Sequence, residues 1–147
     1  MQSWPPVHCT RLSAPERRLL DHFYRQQGSR MRAPAQGTFW VARSPGIIAG
    51  LSLSEVDGGQ WLTGLFVAPD RRSEGVGEQL VAAALENACA STWLFCHPSL
   101  ALYYGRQGFA PAGALPRSLH DKFQRYQRSK ALIALERTAQ PGQVSAG

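Results

Sequence analysis

Between an apolar stretch, QWLTGLFVA, and a helix-forming one stands the run Pro69-Asp70-Arg71-Arg72-Ser73-Glu74-Gly75-Val76-Gly77. Glycines at the mouth of a helix let backbone approach a ligand closely, and the unengaged N–H groups and helix dipole there stabilise a phosphate. The chemistry such a turn offers is the binding of an anionic group. No Gly-Lys-Ser/Thr follows, so it is not a Walker A loop, and the third glycine of the dinucleotide fingerprint is missing. A plain strand-to-helix turn uses the same residue types, so the weight falls on the flanks. Elsewhere, Cys96 beside His97 raises a thiol nucleophile forming an acyl-enzyme. Neighbours on a strand point to opposite faces, however, and Cys96 reads as a buried structural thiol. His8, His22, His97 and His120 have no metal-ligand spacing, and no metal is expected.

The elements that must position these residues alternate between strand and helix, as in a mixed α/β domain. Val7 to Leu12 reads as a first strand. Ser13-Ala14-Pro15-Glu16 is a capping box, and Leu19, Leu20, Phe23 and Tyr24 recur at helical spacing until Gly28. After the irregular SRMRAPAQG, the runs TFWVAR and IIAGLSLSEV are strands joined at Ser44-Pro45-Gly46. A turn at Asp57-Gly58-Gly59 leads to a third strand of a meander, ending at Pro69. Gly75 to Ala90 is a helix with Val76, Leu80, Ala84 and Ala88 on one face. TWLFC is a buried strand, Pro98 to Gln107 a short helix stopped by Gly108, and Pro116 to Arg128 a basic helix. That helix carries Leu119, Phe123 and Tyr126 on one side and Arg117, Lys122, Arg125 and Arg128 largely on the other. ALIAL closes the sheet.

The 147 residues, 44% hydrophobic and 18% charged, suit one domain, expected over 1–138 with a loose tail at 139–147. The net charge of +6 is uneven: residues 1–50 carry +5, 51–100 carry −4 and 101–147 carry +5. Fourteen of the 16 cations are Arg, suited to phosphate or carboxylate. They are scattered rather than interleaved with aromatics, so nucleic acid is not the expected partner. The cysteines Cys9, Cys89 and Cys96 form neither a C-x-x-C pair nor a disulfide framework, which fits a reducing cytoplasm. The start, MQSWPPVHCTRL, has no signal-peptide pattern, and the stretch Asn87 to Gly105, free of Asp, Glu, Lys and Arg, is interrupted by His97 and Pro98, so no membrane association is expected.

With its flanks, LFVAPDRRSEGVGEQLVAAAL resembles motif A of the GNAT superfamily of N-acetyltransferases, with Arg72, Gly75 and Gly77 at the fixed positions of Arg/Gln-x-x-Gly-x-Gly/Ala. TWLFCHPSLALYYGRQGF is similar to that superfamily's fifth strand and fourth helix, ending in Tyr104, Gly108 and Phe109. The resemblance implies an α+β mixed sheet with flanking helices, and acetyl-CoA as acyl donor in a cleft where the fourth and fifth strands splay. It further implies that the pyrophosphate sits on the amides of Arg72, Ser73, Glu74, Gly75, Val76 and Gly77, with Glu78 N–H a further donor and Arg72 acting mainly through its backbone. Phe66, Val67 and Ala68 would run beside the pantetheine arm, with the Val67 N–H polarising the thioester carbonyl. Tyr104 would contact the donor and protonate the departing thiolate; its phenol holds its proton at neutral pH.

The general base is the open position. Some superfamily members carry a Glu on the fourth strand, where QWLTGLFVAP offers only Gln60 and Thr63. Glu55, near the end of the third strand, and His97, which also reads as a cap of the next helix, are the candidates. On the acceptor side the superfamily usually closes with two strands joined by a loop, whereas here GFAPAG is followed by the basic helix. That helix and SRMRAP are candidates to wall an acceptor pocket. The expected activity is acetyl transfer to a primary amine of a small molecule or peptide, by a monomer or homodimer. The alternative is a non-catalytic acyl-CoA-binding or regulatory module on the same fold, and a nucleic-acid-binding domain rests on charge alone.

Overall fold

In the computed structural model, which describes residues 5–139, the capping box at Ser13 forms as its residue types require. The Glu16 carboxylate accepts from the Ser13 N–H at 2.9 Å and the Ser13 hydroxyl at 2.8 Å. Ala14–Glu16 is a 3-10 turn leading into α1, Arg17–Gln26, and Gly28, with φ +70°, ends it. The strands are β1 (His8–Leu12), β2 (Thr38–Arg43), β3 (Ile47–Val56), β4 (Gly59–Val67), β5 (Ser91–Cys96), β6 (Ala110–Pro111) and β7 (Ile133–Arg137). The remaining helices are α2 (Val76–Leu85), α3 (Ala101–Gly105) and α4 (Arg117–Gln127). The strands form one mixed sheet in the order β1-β2-β3-β4-β5-β7-β6. The expected tail, 139–147, lies outside the described residues except for Ala139.

The chain divides into two compact units. The first holds the described residues up to Ser54 together with Thr63–Glu86. Its β1, β2 and β3 pair antiparallel in turn, with Trp40 opposite Leu51 and Arg43 opposite Ile47, and β2, β3 and β4, the strands of the expected meander, are neighbours in the sheet. Leu20, Phe23 and Tyr24 of α1 and Leu80 and Val81 of α2 are buried with Val41, Ala49 and Leu51 of the sheet. Gly50 admits the close approach of Leu20, whose methyl would collide with any Cβ there. Two boundaries differ from the sequence reading. β4 stops at Val67 rather than Pro69, because Pro69 lacks a donor and begins a 3-10 turn in which Arg71 N–H bonds the Ala68 carbonyl at 2.9 Å. α2 stops at Leu85 rather than Ala90: Leu85 is its last buried residue, and Asn87 and Cys89 are exposed and give a further turn nothing to bury.

The second unit holds Glu55–Leu62 and the described residues from Asn87 onward. The first residues of β4 run parallel to β5, Gly59 to Ser91 and Trp61 to Trp93, and β5 pairs antiparallel with β7. β7 does not close the sheet as expected. Ala110–Pro111 pairs with Glu136 and Leu135 on its far side, so the two closing strands exist and α4 is the connection between them. A two-residue strand containing proline carries no periodicity, and proline is tolerated there because it lies on an edge. α4 turns Leu119, Phe123 and Tyr126 inward, with Phe95 5.0 Å from Phe123 and 6.4 Å from Tyr126 between ring centres. Lys122 is the exception to the basic outer face; its ammonium lies 4.9 Å from the centre of the Trp61 ring.

Candidate active site

The Pro69–Gly77 turn has the backbone of a ligand-facing loop. Ser73 has φ +70° and Gly75 φ +79°, left-handed conformations that are costly for serine and that concentrate at functional sites. α2 begins when Gln79 N–H donates to the Gly75 carbonyl at 2.9 Å. The N–H groups of Val76, Gly77 and Glu78 therefore precede the first intrahelical bond and face outward with the positive end of the helix dipole. Arg71, almost fully buried, holds the loop from inside: its Nε donates to the Glu74 carboxylate at 3.0 Å. That assigns Glu74's side chain to the turn's own structure, while Glu78 stays exposed on the helix.

Arg72 is exposed and folds back along β4. Its Nε donates to the Val67 carbonyl at 2.9 Å, and its guanidinium lies 5.0 Å from the centre of the Phe66 ring. Ala68 N–H is taken by the Ile48 carbonyl of β3 at 2.7 Å. Because successive donors on a strand point to opposite edges, the Val67 N–H is turned away from β3, on the edge where Arg72 meets its carbonyl. Val67 thus presents a backbone donor a few residues before the phosphate-type turn, an arrangement able to stabilise an oxyanion.

Sequence reading missed what bends this strand. Gly64, inside β4, has φ +69°, and the Tyr24 hydroxyl donates to its carbonyl at 2.6 Å. A glycine in the middle of an otherwise strand-like run was the available signal. Next to Tyr24, Phe23 packs edge-on against Phe66 with centroids 6.1 Å apart. The SRMRAP segment is held by the same helix: Asp21 accepts from Ala33 N–H at 2.7 Å, and Arg17 donates to the Ala33 and Pro34 carbonyls at 3.1 Å each. Arg30, Met31 and Arg32 are exposed at its tip.

In the second unit, Tyr104 on α3 has a buried ring, edge-on to Phe109 at 5.8 Å and to Tyr103 at 5.0 Å. Its hydroxyl makes no hydrogen bond among the described residues and is not one of the sealed polar atoms. Burial, then the neighbouring Tyr103 and Cys96, push its pKa far above the usual phenol value. Cys96 is buried and its thiol pKa is raised by desolvation, which leaves it without the thiolate a nucleophile needs. His97 is exposed and acts as a cap: its Nδ1 accepts from Ser99 N–H at 3.1 Å and lies 2.8 Å from the Ser99 hydroxyl. In the tautomer that accepts this bond the neutral ring carries its proton on Nε2.

Glu55 is exposed at the end of β3, on the rim of a cavity of about 380 Å³ that Gln60 and Asn87 also line. It lies seven residues along the strand from Ile48, whose carbonyl takes the Ala68 N–H.

An N-acyltransferase fold is defined by this sheet order, with a turn of free amides opening the helix after a bent fourth strand. A family model for the acetyltransferase (GNAT) domain matches residues 35–111, and the chain belongs to that family of N-acetyltransferase enzymes. Similar solved structures include a GNAT-family acetyltransferase from Staphylococcus aureus, at 16% identity over 92% of this chain and 100% of that one, with a TM-score of 0.63. An acyl-CoA N-acyltransferase from Pseudomonas aeruginosa matches at 18% identity over 90% and 100%, TM-score 0.65. N-acetylglutamate synthase from Neisseria gonorrhoeae, complexed with coenzyme A and N-acetyl-glutamate, matches at 16% over 94% of this chain but 36% of its own, TM-score 0.68. At these identities the likeness is one of fold. No curated protein sequence matches the chain significantly. Among the described residues no helix is long and apolar enough to cross a membrane.

Proposed function

We propose that the protein uses acetyl-CoA as its acyl donor and transfers the acetyl group to a primary amine of a small molecule or peptide, with residues 1–138 acting as one catalytic domain in the cytoplasm. The observation that carries this reading is the turn before α2, where left-handed Ser73 and Gly75 precede the unpaired amides of Val76, Gly77 and Glu78. A pyrophosphate matches that set in charge and in its need for several donors at once. Coenzyme A in the related N-acetylglutamate synthase structure supports the choice of donor.

In the proposed reaction a neutral amine attacks the thioester carbonyl, and the Val67 N–H stabilises the oxyanion that develops. The C–S bond then breaks, Tyr104 gives its proton to the departing thiolate, and the proton lost from the ammonium returns through water to the Tyr104 phenolate. Phe66 and Ala68 flank the donor's arm, and Arg72 supports this edge through its bond to the Val67 carbonyl. Glu55 and His97, acting through water, are the candidate bases for the amine. The test is acetyl-CoA turnover, followed as free thiol, across polyamines, amino acids, aminoglycosides and peptides. Turnover with a primary amine supports the reading. Tight CoA binding with no turnover for any acceptor would instead favour a binding or regulatory module.

A further inference from the structure

We infer that Tyr24 is a positioning residue for acyl transfer: its hydroxyl, fixed on the carbonyl of left-handed Gly64, holds the bend of β4 that aims the Val67 N–H. The inference rests on the reading that this N–H faces the acyl carbonyl. Tyr24 is completely buried on α1, and a phenylalanine would fill almost the same volume. Besides an oxygen beside the buried Ser52 hydroxyl, the tyrosine adds the 2.6 Å bond to Gly64. The bond falls where the strand departs from extended geometry, three residues before Val67.

Steric fit points the same way. A Cβ on Gly64 would stand 2.7 Å from the Tyr24 hydroxyl oxygen and 3.5 Å from its Cζ, so the hydroxyl occupies the space that the missing side chain leaves. The adjacent Phe23 braces Phe66 from the same helix turn, so α1 grips β4 on both sides of Leu65. Burial and the nearby Asp21 carboxylate push the phenol's pKa far up, and the donor keeps its proton through the whole range in which the enzyme is assayed. Neither Tyr24 nor Gly64 touches the reacting atoms; they act through the direction of one backbone donor.

The experiment compares the wild-type chain with Tyr24→Phe by amide hydrogen exchange over residues 64–68, by CoA titration and by steady-state kinetics. Exchange over that segment is expected to quicken and kcat to fall about 10- to 100-fold, the scale of a misaligned catalytic group. The KM for acetyl-CoA should stay within about twofold, because the turn before α2 is untouched. Leu12→Val, a core truncation in β1, serves as the comparator: it lowers the melting temperature without moving the exchange of 64–68 or the kcat. A second measurement is the stability loss from Gly64→Ala, which should be smaller in the Tyr24→Phe background, where the obstructing oxygen is gone; should Tyr24→Phe fold poorly, exchange over residues 64–68 is read in Gly64→Ala alone, where it should quicken. Exchange of residues 64–68 unchanged in Tyr24→Phe, or equal stability losses from Gly64→Ala in the two backgrounds, overturns the inference. A wild-type chain that neither binds CoA nor turns over would defeat the proposed function instead, and the exchange comparison would still report on the clasp.

Discussion

Replacing Tyr104 with Phe removes one oxygen from a buried ring, and the structure separates what that oxygen does for stability from what it does for rate. The ring's contacts with Phe109 and Tyr103 survive the change, and among the described residues the hydroxyl has no hydrogen bond to lose. The stability cost should therefore stay within about 0.5 kcal/mol, the range of substitutions that break no specific interaction. Rate is another matter, because loss of a positioned general acid typically costs about 100- to 10,000-fold. The assay is thiol release at saturating acetyl-CoA with a good acceptor, beside thermal melts and a CoA titration, with Tyr126→Phe on α4 as control. The raised phenol pKa adds a condition: wild-type kcat should show no alkaline loss from Tyr104 at its ordinary value near 10, because the buried group keeps its proton beyond it. An unchanged kcat in Tyr104→Phe, with chemistry rate-limiting, would refute the assignment and leave Tyr104 as packing.

Arg72→Ala removes the bond to the Val67 carbonyl but no amide of the turn, so CoA affinity should fall by less than about tenfold, or 1.4 kcal/mol; calorimetric titration measures it. Gly59→Ala would drive a Cβ into the Ser91 carbonyl across the β4–β5 ladder, which should cost about 3 kcal/mol and lower the melting temperature by roughly 10 °C. Hydrogen bonds from Ser13 hold the Glu16 carboxyl below its ordinary value of 4.5. A depressed carboxylate stabilises the fold above that value and loses its contribution as pH falls through the lower folded one. Wild type should thus lose its melting-temperature advantage over Glu16→Gln on acidification through and below that value.

Much of this architecture is legible in the sequence because the signals are local. Ser13 and Glu16 announce a helix start by hydrogen-bonding chemistry that needs no distant partner, and Ser44-Pro45-Gly46 marks the turn between β2 and β3. The Arg72-x-x-Gly75-x-Gly77 spacing likewise names its own geometry, since the ligand-facing atoms are backbone. What escapes is set by tertiary contact. No pattern says that Tyr24 bonds Gly64, forty residues away, because a buried tyrosine at helical spacing looks like any core aromatic. β6 is too short for periodicity and becomes a strand only because β7 offers an edge. The cap reading of His97, before Pro98, is local as well, and the Ser99 N–H bonds its Nδ1.

The central claim, that the turn before α2 receives the pyrophosphate of CoA, is tested most directly by thermal shift of the wild-type chain and Gly77→Asp with CoA. Gly77 is buried in the first turn of α2, and an aspartate there sets a negative charge among the amides meant for the phosphates. Wild type should gain about 2.7 kcal/mol at 100 times the dissociation constant, while Gly77→Asp, folded in the absence of ligand, should gain nothing. An absent shift in the wild type at millimolar CoA, or an equal shift in the variant, would contradict the account.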